Sequence, residues 1–148
     1  MSNRNDLPPA VTREVRDTCL CLHMQRAARS MARRYDEALR PVGLTNGQFS
    51  LLMSLNRDAP ASIGSVSALL AMDRTTLTAN LKPLTRRRLV KVAVDPADKR
   101  SRILTLTASG RSLLIAALPP WRGAQAATAR LIGGSTPGRL RTDLRALS

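Results

Sequence analysis

The chain has 148 residues, 24 Lys plus Arg against 10 Asp plus Glu and a formal net charge of +14, a length that allows about one domain with one core. Its 43% hydrophobic and 23% charged residues are those of a folding chain and exclude a disordered one. The longest apolar run, Leu113 to Leu118, is far short of the roughly 20 residues a spanning helix needs, and the stretch Met1 to Pro9 has no apolar export segment. The expectation is therefore a cytoplasmic protein with no membrane partner.

The positive charge is local. Residues 73 to 102 hold nine basic and three acidic side chains, a net of +6, whereas residues 45 to 72 set one Arg against one Asp. All but Lys82, Lys91 and Lys99 of the cations are Arg, the side chain whose planar fork suits phosphates and guanine edges. A polyanion is the implied partner. Tyr35, Phe49 and Trp121 are the only aromatics, so no platform exists for unstacked bases and duplex DNA is favoured over single strands.

In chain order, apolar positions from Val11 to Leu39 follow helical spacing with arginines between them, and the spacing predicts one long amphipathic helix ending before Pro41 and Gly43. Near its start Val11, Val15, Cys19 and Leu22 form an apolar line beyond what one core uses, which a partner chain would cover. Thr45 opens a second helix with a capping box to Gln48, Leu44 and Phe49 at the staple positions, and Leu52 and Leu55 on the same face. Ser62 caps a short third helix whose predicted buried line is Ile63, Val66, Leu69 and Leu70.

After a two-residue turn Asp73 begins a fourth helix with Leu77, Leu81 and Leu84 inward. Its opposite face carries Thr75, Ala79, Lys82 and Arg86, flanked by Thr78. Two helices joined by a tight turn, the second presenting small polar and basic side chains, form a helix-turn-helix for the major groove. Pro83 lies inside this helix and removes a backbone bond to Ala79, at up to ~3 kcal/mol, with a kink that would re-aim Lys82 and Arg86. Val90, Val92 and Val94 then alternate with Lys91 and Ala93, a charged tip runs from Asp95 to Ser101, and Ile103 to Leu106 returns. Such a hairpin is a wing able to lie along the duplex and enter the minor groove. Thr107 caps a fifth helix through Leu118, which Pro119 and Pro120 are expected to kink or break before a stretch from Trp121 to Ile132. Thr136 and Pro137 start a last helix with Leu140, Leu144 and Leu147 on one side.

Asp95-Pro96-Ala97-Asp98-Lys99-Arg100-Ser101-Arg102, followed by Leu104-Thr105-Leu106-Thr107 and Gly110, resembles the wing signature of the MarR family of bacterial transcription regulators, and the resemblance covers nearly the whole chain. It implies a mainly α fold with a small β-hairpin wing, one MarR-like domain over 1–148, with a winged helix-turn-helix over 45–107 and a helical dimerisation region from 10–40 and 108–148. It further implies a homodimer on a duplex DNA operator, the fourth helix in the major groove, Arg100 in the minor groove, and Asp98 supporting the wing by orienting an arginine. Thr75, Thr76, Thr78, Lys82, Arg86, Lys99, Arg100 and Arg102 are the expected DNA-contacting set. Where the family usually ends the recognition helix on Gly, as a left-handed cap prefers, this chain has Arg88, so either Arg88 takes a strained conformation or the helix ends differently.

Cys19, Cys21 and His23 read C-x-C-x-H. On one continuous helix residue i+2 lies about 200° from residue i, which keeps Cys21 off any ion held by Cys19 and His23; no metal or other cofactor is expected, and buried packing is the plain alternative. The chain also resembles the organic-hydroperoxide branch of the family, the OhrR regulators: Cys21 stands where that branch keeps its peroxide-reactive cysteine and Tyr35 at one of its two thiolate-bonding tyrosines, with Asn46 at the other. Cys21, Tyr35 and Cys19 are thus a redox-sensor set, and a small aromatic acid or a peroxide is the implied effector.

A single His and two Glu, with no phosphate-cradling glycine loop and no nucleophile elbow, leave little for acid–base or covalent catalysis, so an enzyme is not expected. The expected function is a sequence-specific duplex-DNA-binding regulator acting as a repressor, released by a small ligand or by cysteine oxidation. A basic nucleic-acid-coating or nucleoid protein is the alternative; it would bind arbitrary duplexes equally.

Overall fold

In chain order, α1 is Pro9–Thr18, α2 Leu20–Leu39, α3 Asn46–Ser54, β1 Ala61–Ser62, α4 Ile63–Leu70, α5 Arg74–Arg86, β2 Val90–Val94, β3 Arg102–Leu106, α6 Ala108–Ala129 and α7 Pro137–Ala146. The computed structural model describes residues 7–148, which divide into two compact units, one ending at Arg34 and the other spanning Tyr35–Ser148.

The one long helix expected from Val11 to Leu39 is two. Cys19 has ψ 108°, an extended value that no helix accommodates. Its Sγ accepts the Leu22 amide at 3.4 Å, in the manner of an N-cap for α2, and its carbonyl accepts Nδ1 of His23 at 2.8 Å. The apolar line Val11, Val15, Cys19, Leu22 spans this break without showing it, because its spacing is helical on both sides. The face argument that separated Cys19 from Cys21 assumed a continuous helix, and that assumption fails at Cys19.

In the second unit the core gathers Leu39, Phe49, Leu51, Leu52, Val66, Leu77, Leu81, Leu84, Leu104 and Leu114, all buried. A 3₁₀ turn at Arg40–Val42 closes on Gly43, whose φ of +70° is the left-handed value that glycine supplies without strain. Asp36 takes both the backbone and side-chain N–H groups of Asn46, at 2.7 and 2.8 Å. Thr45 then forms the expected capping box with Gln48, and Leu44 and Phe49 are both buried.

Ser62 caps α4 through the Ser65 amide. Of the predicted buried line, Val66 is buried and Ile63 and Leu70 pack against the core, but Leu69 is 62% exposed. At 100° per residue Ile63 and Leu70 fall on one side of Val66 and Leu69 on the other. The wing hairpin is present with Val90 opposite Leu106 and Val94 opposite Arg102, and a third strand joins it, since β1 pairs antiparallel with β3 in the order β1-β3-β2. Two residues give no alternation to read, so β1 is invisible to pattern analysis.

Helix α5 runs unbroken through Pro83. The carbonyl that loses its partner belongs to Ala79, which is exposed and can bond water. It ends in a Schellman motif: Arg88 N–H donates to Thr85 at 2.9 Å, Leu89 N–H to Leu84 at 2.9 Å, and Leu84 and Leu89 are both buried. Arg88 itself takes φ +57°, so the strained alternative is the one realised. The turn before α5 repeats the device, with Ala71 at φ 50° and Met72 N–H donating to Ser67.

α6 neither breaks nor stops at Pro119 and Pro120; it runs continuously to Ala129, three residues short of the predicted end. The carbonyls orphaned by the two prolines are those of Ile115 and Ala116, both exposed. Its start is fixed more tightly: a Cβ at Gly110 would lie 2.3 Å from the Leu89 carbonyl oxygen and 2.7 Å from Leu106 Cδ1.

Two stability changes follow, both readable by urea denaturation. Gly110→Ala should lose about 1–3 kcal/mol, because backbone on one side of the clash cannot move aside. Arg88→Gly should gain about 1 kcal/mol by relieving the left-handed conformation. A stable Gly110→Ala protein, or a destabilised Arg88→Gly protein, would contradict this account of the junction.

Candidate nucleic-acid interface

The exposed face of α5 is positioned by its N-cap. Asp73 accepts the Thr76 amide on one carboxylate oxygen and the Thr76 hydroxyl on the other, each at 2.8 Å. These bonds hold the Asp73 carboxyl below the usual carboxylate range. The Thr76 hydroxyl proton is thereby committed, and the Thr78 hydroxyl likewise donates back to the Arg74 carbonyl at 2.8 Å. Both can still accept bonds, but among the described residues Thr75 alone of the three has a hydroxyl with no intrachain partner.

Two hollows flank the helix. One, about 560 Å³, lies between α5 and the wing, with Thr78, Lys82 and Arg86 on the helix side, Val92 and Arg102 on the wing side, and Ile63 contributing from α4. The other, about 360 Å³, is lined by Arg74, Thr75, Thr78, Ala79 and Lys82. Lys82 and Thr78 belong to both. The structure thus brings Thr75, Thr78, Lys82, Arg86 and Arg102 of the expected set onto one surface, and Pro83 has not re-aimed Lys82 or Arg86 away from it.

Lys99 and Arg100 line neither hollow; they stand exposed at the wing tip. Asp98 shapes that tip through backbone: its Oδ1 accepts the Arg100 amide at 3.0 Å and its carbonyl accepts the Ser101 amide at 2.9 Å. Asp95 does the same for the Ala97 amide at 2.9 Å. The expectation that Asp98 orients an arginine side chain is corrected accordingly, since a side chain this short reaches the amide two residues on and forms an Asx turn.

Sequence reasoning missed Arg74 and Arg87. Arg87 Nη1 donates to the Gly43 carbonyl at 2.8 Å, fastening the end of α5 to the turn that follows α2. Arg74 sits about 60° from the core line on a helical wheel, which assigned it to neither face; its i, i+4, i+8 relation to Thr78 and Lys82 was the available signal.

Cys21 is exposed and Cys19 half-buried, both as free thiols. The Tyr35 hydroxyl donates to Gln125 Oε1 at 2.6 Å, and a phenol has only one proton to give, so within this chain that proton serves α6.

The MarR family profile matches residues 42–101, the span from the Gly43 turn to the wing tip. The M. tuberculosis transcriptional regulator MosR, solved in complex with DNA, superposes with a TM-score of 0.80 at 40% identity, covering 88% of this chain and 93% of that one. The chain belongs to the MarR family. It is also similar to the HTH-type transcriptional repressor NicR of Pseudomonas putida, 37% identical over 76 residues, 51% of this chain and 48% of NicR. With the transcriptional activatory protein BadR of Rhodopseudomonas palustris it shares 32% identity over 95 residues, 62% of this chain and 54% of BadR. The matches span about half the length of these two curated relatives. Within the MarR frame, the fold is mainly helical with a three-stranded wing sheet, as expected except for β1.

Because the folded-state Asp73 carboxyl ionises below its ordinary range, its contribution is present at neutral pH and is lost as pH falls through that lowered value. Asparagine caps without titrating. The thermal midpoint of wild type should therefore fall more steeply than that of Asp73→Asn below about pH 4, near the ordinary carboxylate range. Parallel curves would show that the cap does not titrate with folding.

Proposed function

We propose that this protein is a homodimeric, sequence-specific duplex-DNA-binding regulator of transcription, acting in the cytoplasm as a repressor and not as an enzyme. The observation that carries this reading is the continuous exposed surface of Thr75, Thr78, Lys82, Arg86 and Arg102 across helix and wing. A helix of this chemistry beside a basic hairpin fits a major groove with its flanking backbone. The DNA-bound state of MosR, the relative at 40% identity, supports it. NicR is a repressor and BadR an activator by name, and the higher identity to NicR favours repression.

The dimer is proposed from apolar side chains that remain exposed. α1 has no buried residue, with Val15 51% exposed, and Leu140 and Leu144 of α7 and its C-cap Leu147 are exposed too. A second copy would cover them, Val11, Val15 and Leu22 meeting Leu140 and Leu144, and the terminal segments 10–40 and 108–148 would serve dimerisation while 45–107 serves DNA. Sedimentation should give a dimer at micromolar concentration. A stable monomer would remove the proposal, along with the expected spacing of about 34–36 Å between recognition helices.

A gel shift on the duplex upstream of the protein's own coding region tests the DNA reading. Two copies of the basic region supply about 6 to 10 phosphate contacts, so affinity should fall roughly 10³- to 10⁵-fold between 50 and 200 mM salt. Arg100→Ala should weaken binding most where the flanking minor groove is narrow and A·T-rich, whereas Thr75→Ala and Lys82→Ala should act through major-groove positions. Equal affinity for arbitrary duplexes would instead indicate a coating protein.

For release we propose either a small aromatic acid or oxidation at Cys21. Cumene hydroperoxide should release wild-type protein from DNA but not Cys21→Ser, with Cys19→Ser reporting whether the neighbouring thiol takes part. Retention of DNA by oxidised wild type would leave the non-covalent effector as the controlling one.

A further inference from the structure

Arg74 is the first residue of α5, yet its guanidinium does not extend along that helix. Nη2 lies 3.3 Å from where a Cβ would stand on Gly64, at the second position of α4. The arginine therefore reaches back across the turn and rests over the start of the preceding helix, close enough that a Cβ at position 64 would make the guanidinium give by a few tenths of an ångström. Its guanidinium makes no hydrogen bond or ion pair among the described residues. The carboxylate closest in sequence, Asp73, has both oxygens engaged by Thr76. The result is an exposed guanidinium fork at the junction of the two helices, with no ion pair or hydrogen bond to a carboxylate among the described residues.

Resting on the DNA-binding reading above, we propose that Arg74 is a backbone clamp: it binds a phosphate of the duplex and contributes affinity without reading sequence, and Gly64 positions it. In a helix-turn-helix the second helix offers side chains to base edges while the first crosses the sugar–phosphate backbone. A guanidinium drawn back over the first helix is on the backbone side of that division. Thr75, Thr78 and Lys82 remain on the outward face of α5, and Arg74 closes one end of their hollow. A planar fork with its donors free suits a phosphate, which takes two parallel N–H bonds.

The test measures affinity against salt for wild type, Arg74→Gln and Arg74→Lys on the operator and on an unrelated duplex. A phosphate contact contributes about 0.9 to the slope of log affinity on log salt, so two per dimer should lower the slope by about 1.8 in Arg74→Gln. Between 50 and 200 mM salt the variant should then lose about tenfold less affinity than wild type. The loss at low salt should be equal on both duplexes, and Arg74→Lys should restore most of the slope. Gly64→Leu should reproduce the Arg74→Gln effect and add nothing in the double variant; if Gly64→Leu does not fold, the two Arg74 variants decide. An unchanged slope in Arg74→Gln overturns the proposal, and so does a loss confined to the operator, which would make Arg74 a base reader. Wild type that binds neither duplex removes the DNA reading itself, a result distinguishable from both.

Discussion

The carbonyl of Leu89 is the point on which the unit from Tyr35 to Ser148 turns. It accepts the Thr107 amide at 3.1 Å and lies 3.0 Å from the Thr107 hydroxyl, which is also 2.7 Å from the Arg88 carbonyl. That same hydroxyl oxygen accepts the Gly110 amide at 3.0 Å and so caps α6. One threonine thus ties the exit of the recognition helix, the first strand of the wing and the first turn of α6, and Gly110 lets the helix approach that closely. The start of α6 is thus packed directly on the end of α5, and a shift of α6 toward Leu89 would meet its backbone at once.

Rigidity at the junction is accompanied by strain on either side of α5. Ala71 and Arg88 both hold left-handed backbone, at about 1–2 kcal/mol each for residues with a side chain. Neither would persist alone. Each is locked by a pair of Schellman hydrogen bonds, and at Arg88 the buried contact region of Leu84 and Leu89 adds to them. Arg87 contributes a further fastening, since its bond to the Gly43 carbonyl reaches the turn after α2. The orientation of the recognition helix is therefore imposed by its surroundings more than by its own sequence, which includes a proline and several threonines of modest helix propensity.

This division explains what could be read in advance. The capping box at Thr45, the caps at Ser62, Asp73, Thr107 and Thr136 and the buried line Leu77, Leu81, Leu84 were legible because each depends on residues within four positions of one another. The wing was legible from alternation and from its family signature. Strand β1 was not, because Ala61 and Ser62 become a strand by pairing with Leu104 and Ile103, far along the chain, while Ser62 by itself reads only as the extended N-cap of α4. Neither was the break at Cys19, where apolar spacing continues through a non-helical residue, nor the survival of α6 across two prolines, which depends on Ile115 and Ala116 facing solvent. In the site, outward residues of α5 were found by wheel geometry, while Arg74 was missed because it falls about 60° from the core line, between the two faces.

The acids between residues 73 and 102 serve the local fold rather than the neighbouring cations. Residues 73 to 102 contain only Asp73, Asp95 and Asp98 against nine cations, and all three carboxylates accept backbone amides at a helix start or a turn. Among the described residues the only ion pairs are Arg16 with Asp17 and Arg40 with Glu37, both outside this region. The negative charges thus build the helix cap and the wing tip, where short acceptors are needed, and leave the guanidinium and ammonium groups without carboxylate partners. A cation already bonded to a carboxylate would have to break that pair to meet a phosphate. Among the described residues the side-chain donors of Arg74, Lys82 and Arg100 have no intrachain partner, so contact with a polyanion would exchange hydration and released counterions for charge-assisted bonds. The same three substitutable acids that give the surface its shape are what keep its charge available.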